Sequence, residues 1–344
     1  MKILVVGDLH FRYELAYASL FKDGRKEEWE SIKKTIYEKA KLHDAIVLAG
    51  DQFNARHNHS SVIKEFIDFL NGFGDKEVHI LVGNHERYGT STALDFLKEL
   101  KHDNWFVYTE PTLTTVHGQS AMMIPFMTPA LLGVETKEQG VKALLDIFPK
   151  ETIPLAFFHQ GVSESVLYGI SINFFDEIVL PKKEIEKHFS TIFAGHVHGK
   201  QVLPPNIWVT GNVFTNNVGE HDKSIYTYKL TKTKAVVEEI KLPVRGIYGI
   251  DWNDDPEKIF GGIPIHSIVK CTVTKRGTDI DLVKKTLKRF DASVIIEKYP
   301  DERSKIHFED GGLDLSVESL LKLYAESKKL NYSDLKEGFD LIKI

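Results

Sequence analysis

The sequence predicts an α/β protein in which short buried strands alternate with amphipathic helices. Two observations support this prediction. Apolar runs of four or five residues stop abruptly at glycine or polar residues, and the segments between them carry apolar residues at helical spacing. Strands and helices that alternate in this way form layered sheets covered by helices.

The composition is that of a folded globular protein. The chain has 344 residues, of which 42% are hydrophobic and 27% are charged. At roughly 150 residues per domain, this length suggests two domains. The formal net charge of -5 neither indicates nor excludes nucleic acid as a partner. No apolar stretch has the length of a signal peptide or of a membrane span, so we expect neither secretion nor a membrane.

Cysteine usage limits the kinds of site that the chain can form. The single cysteine, Cys271, excludes a disulfide framework and a cysteine-rich zinc site. It also favours a reducing compartment, and we therefore expect a cytoplasmic protein.

Five apolar runs each end in a motif that contains Asp, Asn or His. The runs cover residues 3–6, 45–49, 79–82, 155–158 and 191–194, and helical patterns between them cover 27–42, 62–70 and 93–100. In such sheets ligands gather at one end of the strands. We therefore expect seven side chains, spread over about 190 residues, to converge: Asp8, His10, Asp51, Asn84, His159, His196 and His198.

These seven side chains offer only carboxylate, amide and imidazole donors, which suit Mn, Fe or Zn. Seven ligands are too many for one tetrahedral ion, so we expect two ions about 3.5–4 Å apart, with Asp51 as the bridging carboxylate. Such a pair activates water and neutralises charge on a phosphoryl group. Any one motif alone could be a turn or a strand face, but that interpretation does not explain five motifs in the same context.

The motifs GDLH, GDQF, GNHE and GHVH, together with His159, resemble the signature of the calcineurin-like metallophosphoesterases over roughly residues 1–200. Within that superfamily the chain is similar to the double-strand-break repair nucleases of the SbcD type and their T-even phage relatives. The similarity lies in the segments 11–29, 158–161, 209–214 and 219–220. It implies a four-layer α/β/β/α sandwich with a small α+β capping domain and a short helical C-terminal tail.

The resemblance also implies roles for single residues. One metal ion, expected to be Mn²⁺, would be held by Asp8, His10, Asp51 and His198. The other would be held by Asp51, Asn84, His159 and His196. His85 would lie beside the scissile phosphate and protonate the leaving oxygen or orient the phosphodiester, a role that suits imidazole.

The sequence departs from the family pattern at two positions. Asn54 stands where these nucleases often have an acidic residue or a histidine near the substrate phosphate. It can donate a hydrogen bond to substrate but cannot carry a proton. His57 or His59 could compensate, although both also fit an ordinary polar loop. Glu86 replaces the more usual Asp.

Residues 1–243 are predicted to form the nuclease domain. Its last strands, at 208–210, 225–228 and 235–237, are expected to form a second sheet packed on the first. Residues 244–310 would be a capping domain that positions DNA, with strands at 267–273 and 293–296 and a helix at 281–290. Its basic residues could follow a DNA backbone or form a solvated helix face: Lys275, Arg276, Lys284, Lys285, Lys288 and Arg289.

Residues 311–344 are predicted to form a helical tail with helices near 316–329 and 334–339. These helices could close the cap or dock on a partner. In the related nucleases such a tail binds an SMC-like coiled-coil ATPase of the SbcC type. The candidate contact residues are Leu320, Leu323, Tyr324, Leu335 and Phe339.

The sequence thus leads us to expect a Mn-dependent DNA nuclease that works as a homodimer with an ATPase partner in repair or recombination. By resemblance, its activities would be 3′-5′ exonuclease on duplex ends and endonuclease on single strands. Two alternatives remain: a phosphoesterase acting on small substrates, and a catalytically inactive scaffold that binds DNA or an ATPase.

Overall fold

The computed structural model describes residues 1–298 except 13, 101, 168, 232–233 and 253–261, and beyond them residues 322, 325, 331–333 and 336. The described helices within residues 1–298 are α1 Lys26–Ala40, α2 Ser60–Asn71, α3 Asp95–Leu100, α4 Lys137–Asp146, α5 Lys182–Ile185 and α6 Ile280–Leu287. Single 3₁₀ turns lie at Ala18–Leu20, Ala130–Leu132 and Ile172–Phe174.

The strands are short, and most belong to two large sheets. In chain order they are β1 Lys2–Val6, β2 Ala45–Leu48, β3 Glu77–Leu81, β4 Arg87–Tyr88, β5 Ser91–Thr92, β6 Trp105–Tyr108, β7 Thr112–Val116, β8 Gln119–Ile124, β9 Ile153–Phe158, β10 Gly161–Val162, β11 Val166–Leu167, β12 Ile170–Ser171, β13 Val179–Leu180, β14 Phe189–Ala194, β15 Gln201–Leu203, β16 Ile207–Val209, β17 Ser224–Leu230, β18 Ala235–Lys241, β19 Gly246–Asp251, β20 Ser267–Val273 and β21 Ala292–Glu297.

The first large sheet has the order β18-β17-β1-β2-β3-β6. Strands β1, β2, β3 and β6 run parallel, with Ile3 opposite Ala45 between β1 and β2. Strand β17 is antiparallel to β1, and β18 is antiparallel to β17. The parallel strands β1, β2 and β3 therefore end at the same edge of the sheet.

The second large sheet has the order β15-β16-β14-β9-β8-β7. Its central strands β8, β9, β14 and β16 are parallel, while the outer strands β7 and β15 are antiparallel to their neighbours. Three strand pairs, β4–β5, β10–β13 and β11–β12, and the small sheet β19-β20-β21 complete the strand pairing of the described residues.

Three apolar clusters separate four layers. The first lies between one sheet and the helices α1 and α2, and includes Leu4 and Phe66. The second lies between the other sheet and the helices α4 and α5, and includes Phe158. The third fills the space between the sheets, where Val5 and Phe157 are fully buried. This arrangement confirms the predicted α/β/β/α sandwich.

One prediction about the sheets was wrong. The segments 225–228 and 235–237 lie in β17 and β18 of the first sheet, beside β1, and only 208–210 overlaps a strand of the second sheet, β16. Tyr226 and Tyr228 of β17 point into the layer between the sheets. The alternating pattern identified these strands, but a side chain in that layer could belong to either sheet.

Contacts divide the chain into two compact units. One comprises residues 1–249, 262–270 and 287–293, and the other comprises 250–261, 271–286 and 294–344. The domain boundaries at 243 and 310 stay predictions. The tail residues Leu320, Leu323, Tyr324, Leu335 and Phe339 lie outside the described residues. Within the described part of the chain, no helix has both the length and the apolar character of a membrane span.

Candidate metal centre

Strands of both large sheets deliver the predicted ligands to one place. Asp8, Asp51 and Asn84 follow β1, β2 and β3, while His159 and His196 follow β9 and β14. Because these strands are parallel and end at the same edge of the sandwich, the loops after them meet there. Asp8, Asp51 and His159 are almost fully buried.

The first group of possible ligands is formed by Asp8, His10 and His198, whose donor atoms lie within 4.8 Å of one another. The Nε2 atoms of His10 and His198 are 2.9 Å apart. The carboxylate of Asp51 approaches this group, with Oδ2 3.9 Å from Nε2 of His10.

The second group is formed by Asp51, His159 and His196. Nε2 of His159 lies 3.3 Å from Oδ1 of Asp51. Oδ1 of Asn84 lies 3.2 Å from Nε2 of His159 and 3.0 Å from Nδ1 of His196. Since Asp51 directs Oδ1 to this group and Oδ2 to His10, its carboxylate lies between the two groups.

The spacing of the donors fits divalent ions. Atoms bound about 2.1 Å from one ion lie roughly 3.0 Å apart when their bonds are at right angles, and the closest donor pairs here are 2.9 to 3.3 Å apart. Nδ1 of His159 lies 2.7 Å from the carbonyl oxygen of Ala49, so the ring donates there and keeps Nε2 for the site. The residues present therefore fit two divalent metal ions.

The backbone of the ligands is strained. His10, Asp51 and His196 all have positive φ, at 49°, 46° and 75°. Non-glycine residues rarely adopt this left-handed region, and such outliers cluster at functional sites. Gly50 has φ 109°, and a Cβ there would lie 2.0 Å from Nδ1 of His159. The loops thus turn sharply to aim side chains at the site.

The buried carboxylates create an environment that favours cations. Burial raises the pKa of Asp8 to about 7, with Asp51 adding to the effect. Burial also raises the pKa of Asp51, but His159 and His10 outweigh it and hold that pKa well below its usual range. Burial lowers the pKa of His198 to about 4, which keeps its imidazole neutral and able to bind a metal. Two adjacent buried carboxylates are best balanced by positive charge.

His85 is placed differently from the other histidines. Its Nδ1 donates to the carbonyl oxygen of Asn54 over 2.8 Å, and its backbone N–H donates to Oδ1 of Asp51 over 3.0 Å. Nε2 then faces the site, 3.9 Å from Oδ2 of Asp51. His85, His10 and Asp51 also form a third group with converging donors. However, the side chain of His85 is 35% exposed, against 2% for His10, so it can meet a substrate.

The remaining predicted residues lie in several places. Asn54 reaches the site through its carbonyl oxygen, which orients His85. His59 is the N-cap of α2 and accepts from the backbone N–H of Ser61, while His57 is exposed. The basic residues are exposed in the loop after β20 and on or just after α6: Lys275, Arg276, Lys284, Lys285, Lys288 and Arg289.

Sequence reasoning missed Glu177. Nε2 of His196 lies 2.9 and 2.8 Å from the two carboxylate oxygens of Glu177. The ring therefore donates from Nε2 and presents Nδ1 to the second ligand group, as carboxylates behind metal-binding histidines commonly arrange. Glu177 lies in a loop before β13, where no motif or strand end marks it.

Two further buried groups hold the loops of the site together. Glu86 accepts from the backbone N–H groups of Gly83 and Phe53, each over 2.7 Å, and so joins the loops after β3 and β2. Burial raises the pKa of Glu86 to about 8. Lys223 donates to the carbonyl oxygen of His198 over 3.1 Å and pairs with Glu220. The sequence shows Glu86 in a motif but gives no sign of this bridging role.

The match to a protein family agrees with this site. Residues 1–200 match the calcineurin-like phosphoesterase family. A search of curated proteins found no match. The solved structures that resemble the chain include a hypothetical protein from Thermus thermophilus, at 11% identity and TM-score 0.37, which covers 71% of this chain and 100% of its own.

Two other solved structures also resemble the chain. One is a conserved uncharacterized protein (predicted phosphoesterase) from Streptococcus pneumoniae, at 9% identity and TM-score 0.31, covering 70% of this chain and 88% of its own. The other is a Vps29 variant from Entamoeba histolytica, at 12% identity and TM-score 0.29, covering 70% of this chain and 99% of its own. The family match spans more than half of the sequence, and the clustered donors lie on its motifs. The chain therefore belongs to the calcineurin-like phosphoesterase family, as a metal-dependent phosphoester hydrolase.

Proposed function

We propose that this protein is a Mn-dependent DNA nuclease, with 3′-5′ exonuclease activity on duplex ends and endonuclease activity on single strands. The observation that carries the hydrolytic part is the position of Asp51. Its two carboxylate oxygens face two separate groups of nitrogen and oxygen donors, and His85 stands beside them. That arrangement suits a two-metal phosphodiesterase.

Each residue then has a definite task. Asp8, His10, Asp51 and His198 would hold one ion, and Asp51, Asn84, His159 and His196 the other. When bound, the ions would supply Lewis-acid polarisation of the phosphoryl oxygens and activation of water for in-line attack. His85, held by the Asn54 carbonyl, keeps Nε2 directed at the site and protonates the leaving oxygen.

The proposal that the substrate is DNA rests on the sequence. The segments 11–29, 158–161, 209–214 and 219–220 resemble repair nucleases, and residues 258–300 carry a local net charge of +5. The exposed residues Lys275, Arg276, Lys284 and Lys288 would contact the phosphate backbone. Asn54 would add a hydrogen bond near the substrate phosphate.

The proposed assembly is a homodimer bound to an SMC-like coiled-coil ATPase. The C-terminal tail would supply the ATPase contact through Leu320, Leu323, Tyr324, Leu335 and Phe339. This proposal rests on the resemblance alone. Copurification of the full chain with such an ATPase, and loss of that copurification on Leu320→Asp, would support it.

The nuclease proposal is tested by supplying two substrates side by side. The purified protein is incubated with Mn²⁺ and either linear duplex DNA, labelled at its 3′ or 5′ ends, or bis(p-nitrophenyl) phosphate. We expect both to be cleaved and the 3′ label to be released first. Cleavage of the dye without any cleavage of DNA would favour a small-substrate phosphoesterase. Cleavage of neither would favour an inactive scaffold.

A further inference from the structure

A cavity of about 620 Å³ opens beside the metal centre. This volume lies within the range of roughly 300–1,000 Å³ that is usual for small-ligand sites. The segment after β1, helix α1 and the first residues of α2 line the cavity, and His10 and Arg12 are among the lining residues. His10 lines the cavity and belongs to the metal centre, so the two are contiguous. Nε of Arg12 lies 3.4 Å from the carbonyl oxygen of His10.

The inner wall of the cavity is apolar. Phe11, Trp29 and Phe214 are buried and form its floor, and the half-buried Leu15 and Phe21 line its sides. Phe11 and Trp29 meet edge to face at 5.0 Å, which fixes the shape of the floor. A planar apolar group such as a nucleobase finds matching surface there.

Charged residues of both signs border the cavity: the basic Arg12, Lys22 and Lys26 and the acidic Glu14, Asp23, Glu30 and Glu65. Two of its carboxylates are already engaged: Asp23 accepts from the backbone N–H of Glu27 over 2.9 Å, and Glu65 accepts from Nε1 of Trp29 over 2.7 Å. Lys22 and Lys26 are exposed, and neither forms an ion pair with another described residue. Lys22 and Lys26 can therefore form ion pairs with an anionic ligand.

We propose that this cavity binds one nucleoside unit of a single DNA strand, next to the phosphate held at the metal centre. The proposal rests on the nuclease function and deepens it. The base would lie against the apolar floor, Arg12 would contact the adjoining phosphate, and Lys22 and Lys26 would contact the next one. Apolar surface bordered by basic residues is the usual means of holding single strands. A base that is paired and stacked cannot enter, so the enzyme would act on an unpaired strand or on a duplex end whose terminal pair has opened.

The proposal is tested by a substitution that fills the cavity. Ser19 is exposed and lines the cavity, so Ser19→Trp occupies its space with little disturbance of the core, and Ser19→Ala is the matched control. We expect Ser19→Trp to lower kcat/KM for a single-stranded oligonucleotide at least tenfold and to leave Mn²⁺ binding, measured by calorimetry, unchanged. Oligonucleotide cleavage at the wild-type rate by a folded Ser19→Trp variant would overturn the proposal.

Two further measurements keep the result interpretable. If Ser19→Trp does not fold, the double variant Lys22→Ala/Lys26→Ala replaces it. We expect this variant to raise KM for the oligonucleotide several-fold, and we expect Lys34→Ala, an exposed position on α1 outside the cavity, not to do so. An unchanged KM would contradict the proposal.

Binding of deoxyadenosine monophosphate, measured by calorimetry with EDTA present, separates the two proposals. Binding to the wild-type protein that Ser19→Trp abolishes supports the cavity even if DNA is not cleaved. An absence of binding rejects the cavity even if DNA is cleaved.

Discussion

At the scale of single residues, solvent exposure separates the metal ligands from the group that meets substrate. His10, Asp51 and His159 are buried to within 2% of full burial, while His85 keeps about a third of its side chain exposed. A buried imidazole among converging donor atoms is suited to bind a metal ion. A partly exposed imidazole beside those donors is suited to transfer a proton to a substrate.

His85→Ala is expected to keep both ions and the fold but to lower DNA cleavage by about 10²–10⁴-fold, the usual contribution of a positioned acid. Hydrolysis of bis(p-nitrophenyl) phosphate should fall less, because p-nitrophenolate leaves without a proton. The measurements are kcat on both substrates and Mn²⁺ titration by calorimetry. His57→Ala, another exposed histidine nearby, is the control. Undiminished DNA cleavage would remove His85 from the mechanism.

Glu177→Ala is expected to weaken binding of one ion by roughly 10–100-fold, because His196 would lose the partner that fixes its ring. Glu177→Gln keeps a hydrogen-bond acceptor, so its Mn²⁺ affinity should lie between those of the wild type and Glu177→Ala. Calorimetric titration with Mn²⁺ shows the effect without any activity assay. The neighbouring carboxylate Asp176, 98% exposed, offers the control Asp176→Asn. Equal Mn²⁺ affinities for wild type and Glu177→Ala would show that Glu177 has no part in holding the ring.

The sequence predicted the residues at the strand ends and missed those that act from loops. Asp8, Asp51 and His159 were recognisable because each follows a buried run. Glu177 and Lys223 reach the site only through the folded chain, from loops whose sequences look like ordinary polar surface. Burial of a charged residue in a loop has no local pattern, so sequence alone could not identify them.

At the scale of elements, the turns after the strands leave no room for side chains. Gly83 follows β3, and a Cβ there would lie 2.0 Å from Oδ1 of Asp51 and 2.3 Å from its backbone nitrogen. Gly83 does not have positive φ, so the constraint is space and not conformation. The loops after β2 and β3 are thus packed against each other at the backbone.

Gly83→Ala is therefore expected to displace Asp51, to weaken Mn²⁺ binding and to destabilise the fold by about 1–3 kcal/mol, as overpacking usually does. Thermal unfolding and Mn²⁺ titration measure the two effects. Gly262→Ala, where an added Cβ meets no atom within 4 Å, is the control and should be neutral. Normal metal binding by Gly83→Ala would mean that the loops can separate without harm.

The elements themselves were largely predictable, and their pairing was not. Buried runs gave β1, β2, β3, β9 and β14, since parallel central strands are apolar on both faces. Strands β17 and β18 were found but assigned to the wrong sheet. Their side chains fit either sheet, and the choice depends on which edge is free after β1 has paired with β2, a property of the whole fold.

At the scale of the whole sandwich, the metal centre joins the two sheets. Asp51 and Asn84 belong to loops of the first sheet, while His159 and His196 belong to loops of the second. Elsewhere between the sheets, buried apolar residues such as Val5 and Phe157 make contact. Ions bound to ligands from both sheets would therefore stabilise the sandwich as a unit.

Removal of metal is accordingly expected to lower the melting temperature. An ion present at 100 times its dissociation constant stabilises the folded state by about 2.7 kcal/mol, and each kcal/mol shifts the melting temperature of a domain this size by about 2–4 °C. Thermal unfolding in 1 mM Mn²⁺ and in EDTA should differ by several degrees. His85→Ala should retain that difference in melting temperature. Asp51→Asn, which replaces the carboxylate between the two donor groups by a neutral amide, should lose most of it. A wild-type protein with the same melting temperature in both buffers would not be held together by ions, and the two-metal assignment would have to be abandoned.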